Sequence, residues 1–254
     1  PPRRGRARPR SSEGAEANRG DALAPPGHHL FELLPRKARQ HFLAACERVE
    51  LAIGTVLCKP GEPTRYVYFP INGFISLLTL IDGEPALEVG MVGREGMVGA
   101  QLSLGIVNTL LHPLVQGDGV VWRLSTAAFK RELKHSPALQ RIMSRYVYVL
   151  MAQLASSAAC LRFHEISPRL ARWLLMSQDR ANSSTFNMTQ EFLGFMLGVR
   201  RVGITEAAGA LQRAGLIEYQ RGRLTVLARA GLEAGACSCF ATDRKWTAQL
   251  LSTG

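Results

Sequence analysis

The sequence predicts an α+β protein in which two unlike parts are joined by one long helix. Three observations predict it. Between residues 49 and 124, short apolar runs alternate with turn residues, as antiparallel strands do. From Pro137 to Phe163, apolar residues recur at helical spacing without a break. From 188 to 227 the order is helix, tight turn, helix, hairpin, which is the layout of a winged helix-turn-helix.

Residues 1–27 are rich in Arg, Pro, Gly, Ala and Ser and poor in apolar side chains. They cannot bury enough surface to offset the entropy of ordering, so a disordered basic tail is expected. Residue 1 is not Met, which leaves open whether this tail belongs to the mature chain. Residues 28–42 read as a short helical entry through Leu30, Phe31, Leu33, Leu34 and Phe42. Strands are expected at 49–53, 55–58, 66–69, 74–81, 87–91 and 120–124. They are separated by Gly54, Pro60-Gly61-Glu62, Asn72-Gly73, Asp82-Gly83 and Gly117-Asp118-Gly119. That spacing argues an antiparallel β-roll over 28–136.

The long helix over 137–163 carries a stripe near heptad spacing. It comprises Leu139, Ile142 or Met143, Tyr146, Val149 or Leu150, Gln153 or Leu154, and Ala158. Small residues at 155–159 permit close approach by another helix. A further amphipathic helix over 165–179 turns Leu170, Trp173 and Leu174 inward, with Pro168 in its first turn. The C-terminal domain is expected over 164–240, with 241–254 as a C-terminal tail.

The most informative stretch is 188–217. Thr189 is a good N-cap, because its hydroxyl can accept a bond from a first-turn backbone N–H. Glu191 sits where the helix dipole favours negative charge. Met188 and Leu193 have the spacing of a hydrophobic staple, and Phe192, Phe195 or Met196, and Val199 continue the apolar stripe. Gly198 ends this helix where a left-handed residue is cheapest. The next helix is expected over about 200–214, with Ile204, Ala208 and Leu211 inward and Arg201, Thr205 and Gln212 on another face. Arg200 and Arg201 open it, where positive charge opposes the dipole by about 0.3–1 kcal/mol. A phosphate or a guanine edge beside them explains that placement. Strands at 217–219 and 224–227 enclose a turn in which Gly222 supplies the permissive dihedral. Arg221 and Arg223 flank it, well placed for phosphates.

The segment MTQEFLGFMLGVRRVGITEAAGALQRAGLI resembles the DNA-binding domain of Crp/Fnr-type bacterial transcription regulators. Met188, Thr189, Leu193, Gly194, Leu197, Gly198, Arg201, Leu216 and Ile217 match that pattern without a gap. Upstream, the spacing of Gly54, Gly61-Glu62, Tyr68-Phe69-Pro70 and Gly73 resembles the cyclic-nucleotide-binding-type roll of the same family. The resemblance thus spans roughly 28–240. It implies a homodimeric, sequence-specific DNA-binding regulator in which the long helix joins two copies. It makes Arg201 the main base-reading residue and Thr189 a phosphate contact; the placement of the residues adds Arg200 and Thr205 as base readers and Gln190, Arg221 and Arg223 as phosphate contacts. The implied partners are double-stranded DNA with a near-palindromic operator, a second copy of the chain, and RNA polymerase. Some positions depart from the family. Arg200 stands where Ser or Thr usually caps the second helix, and Val202 where a polar base-reading residue is common. Gly203 and Gly209 lie inside that helix, each costing about 1 kcal/mol relative to Ala.

In ligand-binding relatives a Gly-Glu pair and a nearby Arg hold the ribose and the cyclic phosphate. The corresponding segments here are 93–99 and 105–111, so Arg94, Glu95 and Gly96 are the candidate ligand contacts. No Arg occurs at 106–111, where Asn108 and Thr109 stand. A buried cyclic phosphate needs a charge-assisted partner. The sensor is therefore expected to be degenerate, and no cofactor is assigned. One alternative is a cyclic-nucleotide sensor with ligand-conditional DNA binding.

An enzyme is not expected. His28, His29, His41, His112, His135 and His164 lack triad or metal-ligand spacing, and no P-loop or dinucleotide fingerprint occurs. Cys46, Cys58 and Cys160 are scattered among apolar residues, where Cys is usually a small hydrophobe. Cys237 and Cys239 form a close pair. Two ligands are too few for a closed metal site, so no metal is assigned; a thiol-based redox or metal sensor is the other alternative. Five cysteines with no secretion signal fit a reducing cytoplasm. No run of 18 apolar residues appears, so no membrane-spanning helix is expected. The net charge of +11 favours polyanionic partners, although the excess is spread along the chain.

Overall fold

The computed structural model describes residues 27–82 and 86–252. The expected tail up to residue 26 and the turn residue Gly83 lie outside the described residues. The helical entry is two short helices, α1 (His29–Glu32) and α2 (Arg36–Ala44), divided at Pro35. Strands β1 (Glu47–Leu51), β2 (Tyr66–Pro70), β3 (Ile75–Thr79), β4 (Leu87–Val92), β5 (His112–Val115) and β6 (Gly119–Ser125) follow. They form two antiparallel three-stranded sheets, ordered β1-β6-β2 and β4-β3-β5. Tyr68 and Val121 from one sheet meet Ile75, Leu77, Val92 and Val115 from the other, and these side chains form the core between the sheets. This is the expected antiparallel roll.

Two strand assignments change. Segment 55–58 is not a strand; it makes only an isolated bridge from Val56 to Leu114. β5 escaped the sequence reading because Pro113 argues against a strand. It is tolerated because β5 is an edge strand, bonded in its sheet to β3 alone, where a missing N–H costs little. A helix not foreseen, α3 (Thr126–His135), follows β6, its start capped by Ser125, whose hydroxyl accepts from the Ala128 N–H.

The long helix α4 spans Pro137–Phe163, as expected, with Ser136 as N-cap. Most of its apolar stripe faces its own chain. Leu139, Ile142, Met143, Tyr146 and Val149 are buried in their own chain, against Phe31, Phe69, Met97, Leu102 and Phe129 of the sensor. A second face is open, through Tyr148, Met151, Ala155 and Ala158. An 18-residue window of α4 has a mean hydropathy of 1.2, so this helix is long and apolar enough to cross a membrane by length and composition.

The C-terminal domain comprises α5 (Ile166–Ala181), β7 (Thr185–Asn187), α6 (Gln190–Leu197), α7 (Arg201–Arg213), β8 (Ile217–Gln220), β9 (Arg223–Val226), α8 (Arg229–Gly235) and α9 (Cys239–Leu250). β7 widens the expected hairpin into a sheet of order β7-β9-β8. The expected tail at 241–254 is a correction: its described part is mostly helix α9, which lies along α4. Leu251 is buried in the sensor's core. Adding helix to the winged unit in this way anchors its end to the other domain.

Sensor and C-terminal domain share a second core, in which Phe74, Leu78 and Met91 of the roll meet Leu170, Trp173 and Leu174 of α5. Polar contacts cross the same junction. The Trp173 indole donates to the Glu88 carboxylate at 2.8 Å, and the Ser76 hydroxyl also bonds that carboxylate. Burial pushes the Glu88 carboxyl up to about 7, against the opposing pull of those two donors. A raised folded-state value means that stability is fully present below the ordinary carboxylate range and is lost as pH rises through about 7. His28 acts oppositely: burial lowers it to about 3, so its contribution is present above its ordinary value and lost as pH falls. Glu88→Gln should isolate the first effect. Relative to wild type, its denaturant-unfolding free energy should rise by roughly 1–2 kcal/mol between about pH 5 and pH 8.

Candidate nucleic-acid interface

α6 begins as its sequence dictates. The Thr189 hydroxyl accepts from the Phe192 N–H at 3.1 Å, and Glu191 lies in the first turn. Leu193, Met196 and Leu197 are buried. Gly198 ends the helix with φ +60, and a Cβ there would come within 2.7 Å of Leu87 on β4. The turn is thus left-handed and tightly seated on the sensor. Arg169 holds it from below, its guanidinium donating to the Leu197 carbonyl at the end of α6. Burial lowers the pKa of Arg169 from its ordinary value.

α7 starts at Arg201 with Arg200 as its N-cap residue, and no side chain caps it. Ile204, Ala207, Ala208 and Leu211 face inward; Arg200, Arg201, Val202, Thr205 and Gln212 are exposed. Neither Arg200 nor Arg201 forms an ion pair among the described residues. The cost of Gly203 has a packing reason: a Cβ there would stand 2.6 Å from Ile166 on α5. Nothing in the structure explains Gly209.

The wing closes on this helix pair. The Tyr219 hydroxyl donates to the Met188 carbonyl at 2.9 Å, and the Met188 N–H donates to the Gly222 carbonyl at 2.7 Å. The Tyr219 N–H donates to the Gln212 side chain on α7 at 3.2 Å. Burial raises the Tyr219 phenol, and Arg201 is close enough to pull it the other way. The outcome is an open cleft of about 440 Å³ lined by Thr189, Gln190, Arg201, Tyr219 and Arg221. Four of the seven predicted DNA-contacting residues therefore converge on one concavity. Arg200 and Arg223 are exposed outside that lining. Thr205 differs from its expected part: its hydroxyl lies 2.7 Å from Gln190 Oε1 and 3.1 Å from the Arg201 carbonyl, so it links α7 to α6. Sequence reading missed Arg169 and Tyr219, and gave Gln212 only a face; their roles depend on tertiary neighbours with no sequence motif of their own.

Two of the three candidate ligand residues, Arg94 and Glu95, line one open cleft of about 500 Å³ between the roll and the C-terminal domain, with Arg180 beside them; Gly96 does not. Glu95 pairs with Arg180 of α5 at 2.7 Å and accepts from the Gly93 N–H. Gly96 is buried against the Tyr146 ring, which a Cβ would strike. Arg94 is exposed and lines that cleft together with Glu95. Asn108 and Thr109 bond to the backbone at Gly61 and Leu111.

An antiparallel roll, a long connecting helix and a winged helix-turn-helix define a two-part protein whose C-terminal part is of a DNA-binding type. Residues 168–234 match the family described as the Crp-like helix-turn-helix domain. Solved structures extend the likeness over most of the chain. A Crp/Fnr-family transcriptional regulator of Thermus thermophilus is 21% identical, with a TM-score of 0.62 over 75% of this chain and 98% of its own. FixK2 of Bradyrhizobium japonicum is 14% identical, with a TM-score of 0.64 over 76% of this chain and 98% of its own. The c-di-GMP-responsive global regulator CLP of Xanthomonas campestris is 18% identical, with a TM-score of 0.61 over 76% and 99%. A sequence comparison with curated proteins gives no match. Residues 168–234 are a Crp-like helix-turn-helix domain, and the chain carries the fold of Crp/Fnr-type transcription regulators.

Arg221 has φ +50, an uncommon conformation for a side chain other than Asn, Asp or Gly. With Gly222 at φ +79 it makes a two-residue hairpin turn in which both residues have positive φ. Asn is the usual first residue of such a turn, and Arg there costs on the order of 1 kcal/mol. Arg221→Asn should therefore raise stability by up to about 1 kcal/mol in chemical denaturation while weakening DNA binding in the same preparation.

Proposed function

We propose that the chain is a homodimeric regulator that binds a near-palindromic operator, with its Arg201 ends of α7 in successive major grooves. One observation carries this reading: the cationic start of α7 is exposed, free of ion pairs among the described residues, and shares a cleft with the start of α6 and the wing tip. Arg200 and Arg201 read base edges. Thr189, Gln190, Arg221 and Arg223 hold phosphates, and Thr205 positions Gln190. The open face of α4 supports dimerisation. Tyr148, Met151, Ala155 and Ala158 follow one another at heptad spacing, and Tyr148 and Met151 are 59% and 60% exposed. Large apolar side chains exposed in a helical row seek a partner. A second copy would bring two recognition helices to half-sites about one helical turn apart.

The sensor reading follows from chemistry. No arginine stands at 106–111 to meet a cyclic phosphate, and Glu95 is engaged by Arg180. A signal of another kind, or none, fits this roll better than a cyclic nucleotide. RNA polymerase as a further partner rests on the resemblance alone.

Gel-shift titrations against operator and scrambled duplexes test the assignment. Arg201→Ala should cost about 1–3 kcal/mol of discrimination between the two. Arg223→Ala should weaken both alike and reduce the salt slope by about one. Equal loss on both duplexes for Arg201→Ala would refute the base-reading role.

A further inference from the structure

Cys160, His164, Cys237 and Cys239 converge where α4 ends and α9 begins. Their Sγ atoms and one imidazole nitrogen all lie within 4.8 Å of one another. The sequence shows only the Cys237/Cys239 pair; the fold supplies the other two. Cys160 on the last turn of α4 and His164 at its C-cap are four apart and so share a face. Cys237 sits on the α8–α9 connection and Cys239 opens α9. That connection is tied to the first turn of α5, because the Cys237 N–H donates to the Pro168 carbonyl.

The spacing suits a tetrahedral ion. Bonds of about 2.3 Å to sulfur and about 2.0 Å to nitrogen set tetrahedral edges of about 3.5–3.8 Å. Cys160 Sγ is 3.5 Å from Cys237 Sγ, and Cys239 Sγ is 3.6 Å from His164 Nδ1. Three thiolates around a divalent ion leave one net negative charge, and a cation stands beside it. Arg172 is close enough for Cys160 and Cys237 to raise its pKa, and it pairs with Asp243 at 2.7 Å. Its Nε is buried with no hydrogen-bond partner among the described residues, and a thiolate-rich centre would give that N–H a negative neighbour.

We propose that these four residues bind one zinc-type divalent ion in a closed Cys3His site. Four protein ligands fill the coordination sphere, and sulfur-rich tetrahedral sets select zinc over oxygen-preferring ions. The ligands come from both sides of the α4–α5 junction, so the ion clasps the C-terminal domain to the long helix. The site exists or not independently of the DNA-reading role proposed above.

Metal analysis of the full chain, purified reduced and without chelator, should find one ion per chain. Replacement by cobalt(II) should give intense tetrahedral d–d bands with sulfur-to-cobalt charge transfer. Cys239→Ser and His164→Ala should each lose bound metal and those bands, while the Cys46→Ser, Cys58→Ser double variant keeps both. His164→Ala, at the rim, serves if a cysteine variant fails to fold. Chelation should speed proteolysis at residues 164–166, and zinc should restore protection. A metal-free chain that develops no cobalt bands, or one holding a Cys160–Cys237 disulfide in place of metal, would overturn the site. Metal binding with unchanged cleavage would overturn the clasp.

Discussion

The enclosure of α5 is the constraint on which the other parts rest. Leu170, Ala171, Leu174 and Leu175 have no exposed surface. Helices that are apolar on only one stripe cannot be buried this fully, and α5 solves the problem with arginines whose charges are engaged. Arg169 bonds the end of α6, Arg172 pairs with Asp243 of α9, and Arg180 pairs with Glu95 of the roll. Removing one partner of such a buried pair leaves a charge without compensation, which is far costlier than losing a surface ion pair. The orientation of the helix-turn-helix is therefore set by α5 and transmitted to the roll through the same helix.

The same helix ties the roll to the winged helix-turn-helix. Glu95 lies on the segment that would face a ribose in a ligand-binding relative, and here it faces α5. Glu88 on β4 receives the Trp173 indole. Leu87 of the same strand touches the α6–α7 turn. The two arginines that open α7 contrast with this. They gain nothing from the helix dipole and have no ion-pair partner among the described residues.

Most of the architecture was legible because periodicity is local. The limits of α4, the Thr189 cap, the left-handed Gly198 and the inward set of α7 all follow from residues within a few positions of one another. What stayed hidden depends on pairing across the chain. β5 is a strand only because it lies at an edge that tolerates Pro113. Heptad spacing on α4 does not say whose core the stripe enters; its own N-terminal domain takes Leu139–Val149, and the offset face through Met151 is left open. Thr205 seemed to offer its hydroxyl outward, yet Gln190 on the neighbouring helix takes it. Cys160 and His164 give no metal signal on their own, and only the return of α9 along α4 shows what stands opposite.

The central claim is that the start of α7 distinguishes one base pair from another from within the major groove. Selection of bound sites from random duplex DNA by the full chain tests it most directly. The account predicts enrichment of two inverted half-sites with centres about 10 base pairs apart, their sequence constraint relaxed in Arg201→Ala. Recovery of unenriched sequence, or of the same motif at full strength from Arg201→Ala, would contradict it.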